Sequence, residues 1–203
     1  LVGDDFRFGH KRQGDFALLE SFCRERAIGC SRIDSFELNG VRVSSSAVRA
    51  ALGEGRFREA AQLLGHPYQM SGHVLHGRKL GRTLGFPTLN LGVGFERPAL
   101  AGIFVVRVHG LGPRAIAGVA SLGTRPAVEA QGRLLLEVHL FDFSETVYGR
   151  VVSVEFLERL REERHYASLE LLTEQIARDC EAARAWFDRH PDPDNVLPRD
   201  SNA

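Results

Sequence analysis

The spacing of apolar positions changes once along the chain. Before residue 66 helical periods alternate with short extended runs, and after it extended runs follow one another directly. In the first part Asp15 stands as an N-cap before Phe16, Leu19, Phe22 and Cys23, which share one side of a helix predicted to reach about Ala27 and stop at Gly29. Ser31 to Phe36 reads as a strand and is followed by Asn39-Gly40. Ser44, Ser45 and Ser46 offer caps for a short helix through Leu52, ended by Gly53 and Gly55, and Arg56 to Leu64 reads as another, stopped by Gly65 and Pro67. Alternating helix and strand imply an α/β layer, with a domain boundary at residue 66.

From Tyr68 the pattern predicts strands near 70–77, 101–109, 114–121, 133–142 and 150–157, separated by glycine-containing turns, as in a small antiparallel barrel. In the fourth of these, Leu134, Leu136, Val138 and Leu140 share one face and Leu135, Glu137, His139 and Phe141 the other. Both faces are therefore expected to be largely covered, with Glu137 a carboxylate among apolar neighbours. After Ser168, Leu169, Leu172, Ile176, Cys180, Ala183 and Phe187 recur at three and four residues, an amphipathic helix expected to pack on the barrel. Residues 191–203 lack a pattern and are expected to form a disordered tail.

Composition narrows the partners. Lysine plus arginine and aspartate plus glutamate number 26 each, which gives no basic field for a nucleic-acid backbone; aromatic content of 8% supplies no stacking platform for single strands. Small-molecule ligands are the expectation, with no nucleic-acid and no membrane partner and an oligomer left open. No run approaches the ~18 apolar residues of a membrane span and no leader pattern is present, so a cytoplasmic location is expected. Cys23, Cys30 and Cys180 form no CxxC pair and are expected as buried thiols rather than as a disulfide framework or zinc site. The chain opens on Leu1 in what reads as the end of a buried strand, and it is expected to be a fragment.

The densest chemistry lies in Gly81-Arg82-Thr83-Leu84-Gly85-Phe86-Pro87-Thr88-Leu89-Asn90. Gly77, Gly81 and Gly85 recur at four-residue intervals after a predicted strand, where backbone N–H groups can approach a polyphosphate, and Arg82 adds charge. Pro87 biases Phe86 toward an extended conformation, so Thr88 and Asn90 point the same way. A hydroxyl and an amide oxygen so placed suit Mg²⁺ beside phosphate oxygens. The competing structural reading is a glycine-rich hairpin ending in a Pro-Thr turn.

His76 to Asn90 resembles the signature of riboflavin kinases, specifically the bacterial bifunctional riboflavin kinase/FAD synthetase family. Similar motifs run in the same order over roughly residues 1 to 185: Val2 to Gly9, Val43 to Arg49, Leu64 to Tyr68, Glu137 to Phe143 and Leu160 to Glu163. The resemblance implies an α+β protein: the end of a Rossmann-like α/β nucleotidyltransferase domain over 1–66, then a Greek-key-type antiparallel β-barrel with a packed C-terminal helix over 67–190. It implies phosphorylation of riboflavin to FMN by ATP with Mg²⁺, and, in intact members, adenylylation of FMN to FAD.

Residue by residue, the resemblance implies a phosphate site from Gly77, Lys79, Gly81, Arg82, Pro87, Thr88 and Asn90, with Thr88 and Asn90 as metal ligands. Glu137 is the implied catalytic base, and Arg161 and Glu163 the implied flavin contacts. Asp5, Phe6, Gly9, Ser44, Ser45 and Arg49 match nucleotide-binding parts of the adenylyltransferase half, whose phosphate-binding His-x-Gly-His type motif is not found here, so this segment is not expected to make FAD unaided. Structural alternatives stay open: a barrel-face Glu137 paired with Arg107 or Arg150, a solvated charge cluster at Arg161 to Arg164, and an ordinary serine cap at Ser44. A flavin- or nucleotide-binding module without turnover is the competing function. Ala127 departs from the family pattern, which carries threonine there; Leu89 and Tyr166 depart conservatively.

Overall fold

The computed structural model describes residues 1–77, 80–92, 98–123 and 135–191, and they divide into two compact units, Leu1–Ala47 and Val48–Ala203. In the first unit, β1 (Val2–Gly3) pairs in parallel with β2 (Arg32–Ile33), and the two flank a 3₁₀ turn at His10–Arg12 and α1 (Phe16–Glu25). Asp15 caps α1 as its sequence predicts, its carboxylate accepting from Leu18 N–H at 3.0 Å.

The helix stops before Gly29. Ala27 takes a left-handed φ of 52°, Ile28 N–H returns to Cys23 O at 2.9 Å and Ala27 N–H to Arg24 O, a Schellman closure achieved without glycine. Phe22, expected on the packed side, is exposed, and Cys30 is only half-buried. Desolvation, followed by a hydrogen bond with Cys23, raises the Cys30 thiol. The predicted strand at Ser31 to Phe36 is paired only at β2; Asn39 and Gly40, both at positive φ, instead turn a hairpin between β3 (Glu37–Leu38) and β4 (Val41–Arg42).

α2 (Ser45–Gly53) starts where Ser44 Oγ accepts from Ala47 N–H at 3.2 Å, and α3 (Phe57–Leu64) ends on Gly65 at φ 78°. The second unit then forms a closed antiparallel barrel from β5 (Gln69–Leu75), β6 (Leu89–Gly92), β7 (Gly102–His109), β8 (Ile116–Gly123), β9 (Leu135–Leu140) and β10 (Val151–Arg161), in the order β10-β5-β6-β9-β8-β7. Every pairing is antiparallel. Five strands stand where apolar alternation predicts them. The sixth, β6, is the extended segment that Pro87 introduces, too short to stand out by periodicity.

Alternate residues fill the barrel interior: Val74, Leu91, Phe104, Val106, Val108, Leu122, Leu136, Val138, Val152 and Val154 are all buried. Phe57 from α3 joins them, edge-on to Phe104 at 5.9 Å and stacked with Phe156 at 6.4 Å. On the outside, α5 (Leu169–Arg189) is capped by Ser168 and lays Ile176, Cys180, Ala183 and Phe187 against Ile103, Val105, Val119 and Phe141. Leu169, placed on that stripe by its spacing, is exposed in the first turn. Burial pushes the Cys180 thiol up to about 11.

The helix packs chiefly on β7, β8 and β10. The expectation that both faces of the 133–142 strand are covered is therefore corrected: Leu136, Val138 and Leu140 point inward, while Leu135 is exposed and Glu137 and His139 are half-buried. It is β7 whose two faces are both buried.

Candidate functional site

Five strands lie side by side around the barrel, and their registers align Asn90 (β6), Glu137 (β9), Ser121 (β8), Ile103 (β7) and Arg161 (β10) in one lateral row. Cross-strand partners send their side chains to the same face. Ile103 packs beneath α5, so this is the outer face. The candidate metal ligand, base and flavin contact, 71 residues apart in sequence between Asn90 and Arg161, thus share one line across the sheet.

At the Asn90 end, Gly77, Arg82, Pro87, Thr88, Asn90 and Tyr148 line a small open pocket. The loop above it is not an open glycine loop. It contains a single turn, α4 (Leu80–Thr83), closed by Phe86 N–H on Gly81 O at 2.7 Å, with Gly85 at φ 85°. Glycine is required at two places by close approach: a Cβ on Gly77 would overlap the Asn90 amide, and one on Gly81 would overlap the Phe86 carbonyl. Arg82 is exposed and Thr88 half-buried. Asn90 is buried at 7% exposure, and among the described residues its amide nitrogen reaches Thr88 O, at 3.5 Å. A buried amide oxygen beside a hydroxyl is a hard-oxygen donor set of the kind Mg²⁺ takes, so these residues fit that ion. Lys79 and Ala127 lie outside the described residues, as do 192–203 of the expected tail.

Tyr148 was not singled out by the sequence. It stacks on His76 with ring centroids 3.8 Å apart, and the only signal for it was an aromatic residue beside Gly149.

In the middle of the row, Ser121 Oγ donates to Glu163 Oε1 at 3.2 Å, and the Glu163 carboxylate lies against Gly123 where any Cβ would stand. This brings Glu163 beside the register of Glu137. Of the arginines considered as structural partners for Glu137, Arg150 donates to Gly110 O at 3.2 Å and Arg107 lies over the Phe187 ring. At the far end the Arg161 guanidinium grips Asp179 of α5, Nε to Oδ1 at 2.8 Å and Nη2 to Oδ2 at 2.6 Å, with Nη1 on Glu162 O. Asp179, 7% exposed at its side chain, also accepts from Gln175. The Arg161–Asp179 hydrogen bonds raise the guanidinium further above its ordinary value. Arg161 is therefore no member of a solvated charge cluster.

In the first unit, Asp5 pairs with Arg42 at 3.1 Å, Phe6 stacks on Phe8 at 5.6 Å, and Gly9 takes φ 76°. Asp4, which the sequence did not flag, accepts from Ser35 and Arg42; the Ser35 bond, then Arg42, hold its carboxyl below the usual range. Ser44 caps α2, and Ser45 and Arg49 are exposed on it. Among the described residues no cluster of three or more histidine, cysteine or acidic side chains could hold a metal, and no helix is long and apolar enough to cross a membrane.

A riboflavin kinase family model matches residues 64–187, and an FAD synthetase family model matches residues 1–47. The chain is 46% identical over 186 residues to the bifunctional riboflavin kinase/FMN adenylyltransferase of Escherichia coli (strain K12), covering 92% of this chain and 59% of that protein. It is 42% identical to the protein of the same name from Haemophilus influenzae, over 92% of this chain and 60% of that one. The chain thus spans about three-fifths of the length of these curated relatives. A crystal structure described as a macrolide-efflux protein from Streptococcus pneumoniae superposes with a TM-score of 0.67 at 30% identity, covering 91% of this chain and 60% of that one.

Proposed function

Because the chain belongs to the riboflavin kinase family, we propose that it transfers the γ-phosphoryl group of ATP to the terminal ribityl hydroxyl of riboflavin, giving FMN and ADP. The observation that carries this reading is the register of Asn90 with Glu137, which sets the pocket of Arg82, Thr88 and Asn90 beside a half-exposed carboxylate. Phosphoryl transfer needs little more than a phosphate cradle, charge neutralisation and an oriented hydroxyl.

Arg82 and the backbone around Gly77 and Gly81 would face the phosphates. Thr88 and Asn90 would hold Mg²⁺, which when bound neutralises charge on the β- and γ-phosphate oxygens. Glu137 would accept the proton of the ribityl hydroxyl while its oxygen bonds to the γ-phosphorus and the bond to the β-phosphate oxygen breaks, releasing ADP. Arg161, fixed by Asp179, and Glu163, fixed by Ser121, would flank the flavin end of the row.

Residues 1–66 are read as the end of an FMN adenylyltransferase domain and 67–190 as the kinase domain, with α2 and α3 belonging to the former by sequence and packing with the latter. In the whole protein the first half would adenylylate FMN to FAD, with Asp5, Phe6, Gly9, Ser44, Ser45 and Arg49 in that site. Small-molecule substrates and a cytoplasmic setting complete the reading. Incubation with riboflavin, ATP and Mg²⁺ tests it: FMN should accumulate with stoichiometric ADP, and folded protein that binds both substrates but yields no FMN would defeat it.

A further inference from the structure

His139 plays no part in the site as the sequence reads it, yet it stands two residues from Glu137 on β9, on the same outer face. Its Nδ1 lies 2.8 Å from Pro87 O. A carbonyl only accepts, so Nδ1 carries the proton and donates. This contact falls where the ladder stops: β6 begins at Leu89, opposite Val138, and Pro87 and Thr88 precede it. Pro87 has no N–H of its own, so its carbonyl is the one backbone hydrogen-bonding group that the residue itself offers to β9.

The preceding loop is closed on itself by Phe86 N–H to Gly81 O and turns through Gly85 at positive φ. The Phe86 ring then meets the His139 ring edge-on at 5.5 Å, and Phe141 supports that ring from its other neighbour position at 5.9 Å. Thr88 is thus fixed from both sides, by His139 on Pro87 and by the first ladder pair at Leu89.

We propose that His139 is a positioning residue: its Nδ1–H holds the Pro87 carbonyl, and thereby sets Thr88 beside Asn90, which the ladder already pairs with Glu137. The inference rests on the reading of Thr88 and Asn90 as the nucleotide–metal edge. Losing the donor lets Pro87 and Thr88 peel from β9 while the ladder from Leu89 onward and the barrel interior stay intact.

His139→Phe keeps a ring against Phe86 and Phe141 without the donor, and His139→Asn returns an N–H close to the position of Nδ1. Calorimetric binding of ADP with and without Mg²⁺ to the full chain, alongside kinase kinetics, reads the effect. The Phe variant should bind Mg²⁺–ADP about tenfold more weakly and raise the KM for ATP in step, with the KM for riboflavin within about twofold and the Asn variant close to wild type. A Phe variant that binds like wild type, or an Asn variant as weak as the Phe variant, overturns the proposal. Should the Phe variant not fold, ¹⁵N spectra of wild-type His139 decide: a ring bearing its proton on Nε2 with bare Nδ1 overturns it. Wild-type ADP binding indifferent to Mg²⁺ would instead defeat the metal reading of Thr88 and Asn90.

Discussion

Asn90 on β6 and Glu137 on β9 are direct cross-strand partners, so a buried amide and a half-buried carboxylate leave the barrel side by side on its outer face. Neither is placed there by the hydrophobic pattern; each interrupts it at an outward position, Glu137 where half-exposure keeps its charge within reach of water and Asn90 where burial leaves its amide in need of polar partners.

If Glu137 is the proton acceptor, Glu137→Gln should lower kcat for FMN formation by about 10²- to 10⁴-fold, the usual worth of a positioned general base. The change is isosteric and half-exposed, so stability should move by no more than about 0.5 kcal/mol. Chromatographic separation of FMN from riboflavin, beside a thermal melt, separates the two effects; near-wild-type turnover would remove Glu137 from the mechanism.

Gly77→Ala probes the pocket without touching a charge. The added Cβ must displace the Asn90 amide, a short side chain already packed at a buried position, rather than the end of a flexible one. The KM for ATP should rise about tenfold or more, since a misplacement near 1 Å costs up to about 100-fold where positioning is the catalytic device. The KM for riboflavin should change far less, and initial-rate kinetics with each substrate varied in turn shows the split.

Much of this was legible in the sequence for identifiable reasons. Asp15, Ser44 and Gly65 advertise helix ends because capping is a local interaction, settled within three or four residues. The barrel strands show because their interior positions alternate. What stayed hidden depends on contacts distant in sequence. Glu137 looked enclosed because periodicity reports which residues share a face and not which face α5 covers. The partner of Arg161, Asp179, sits in a helix whose polar positions read as solvated until the barrel is closed. His139 and Tyr148 gained their neighbours from loops more than fifty residues away.

The Arg161–Asp179 pair gives a stability prediction. Removing one partner leaves the other charge buried without compensation, and Asp179→Ala should cost about 3–5 kcal/mol. Replacing both, as Arg161→Met with Asp179→Leu, should recover most of that loss while flavin affinity stays low if Arg161 faces the substrate. Urea unfolding of the single and double variants, with flavin fluorescence titration, reads both quantities.

Phe57 tests whether α3 is part of the barrel's stability. Its ring fills the space between Phe104 and Phe156 at 6% exposure, so Phe57→Ala should destabilise the second unit by about 3–5 kcal/mol. A loss below about 1 kcal/mol in chemical denaturation would mean that the barrel folds independently of residues before its first strand.

Asp142 and Arg184 supply the pH dependence. Arg184 donates to both carboxylate oxygens, at 3.0 and 3.2 Å, and the guanidinium lies over Phe141, tying α5 to the end of β9. The bond holds the Asp142 carboxyl below its ordinary value of 3.8. A folded-state pKa below the unfolded one means that the pair's contribution is complete above the unfolded value and disappears as pH falls through the folded value. Asp142 sits at φ 54°, a left-handed conformation that asparagine adopts as readily as aspartate, so Asp142→Asn removes the charge without adding backbone strain. Wild type should therefore be the more stable protein near about pH 6, the gap should narrow as pH drops below about 4, and the two urea midpoints should meet in stronger acid. Both chains are exposed, so the gap should also shrink in high salt. A difference that persists unchanged through the acid range would show that the variant acts through the turn itself and not through the ion pair.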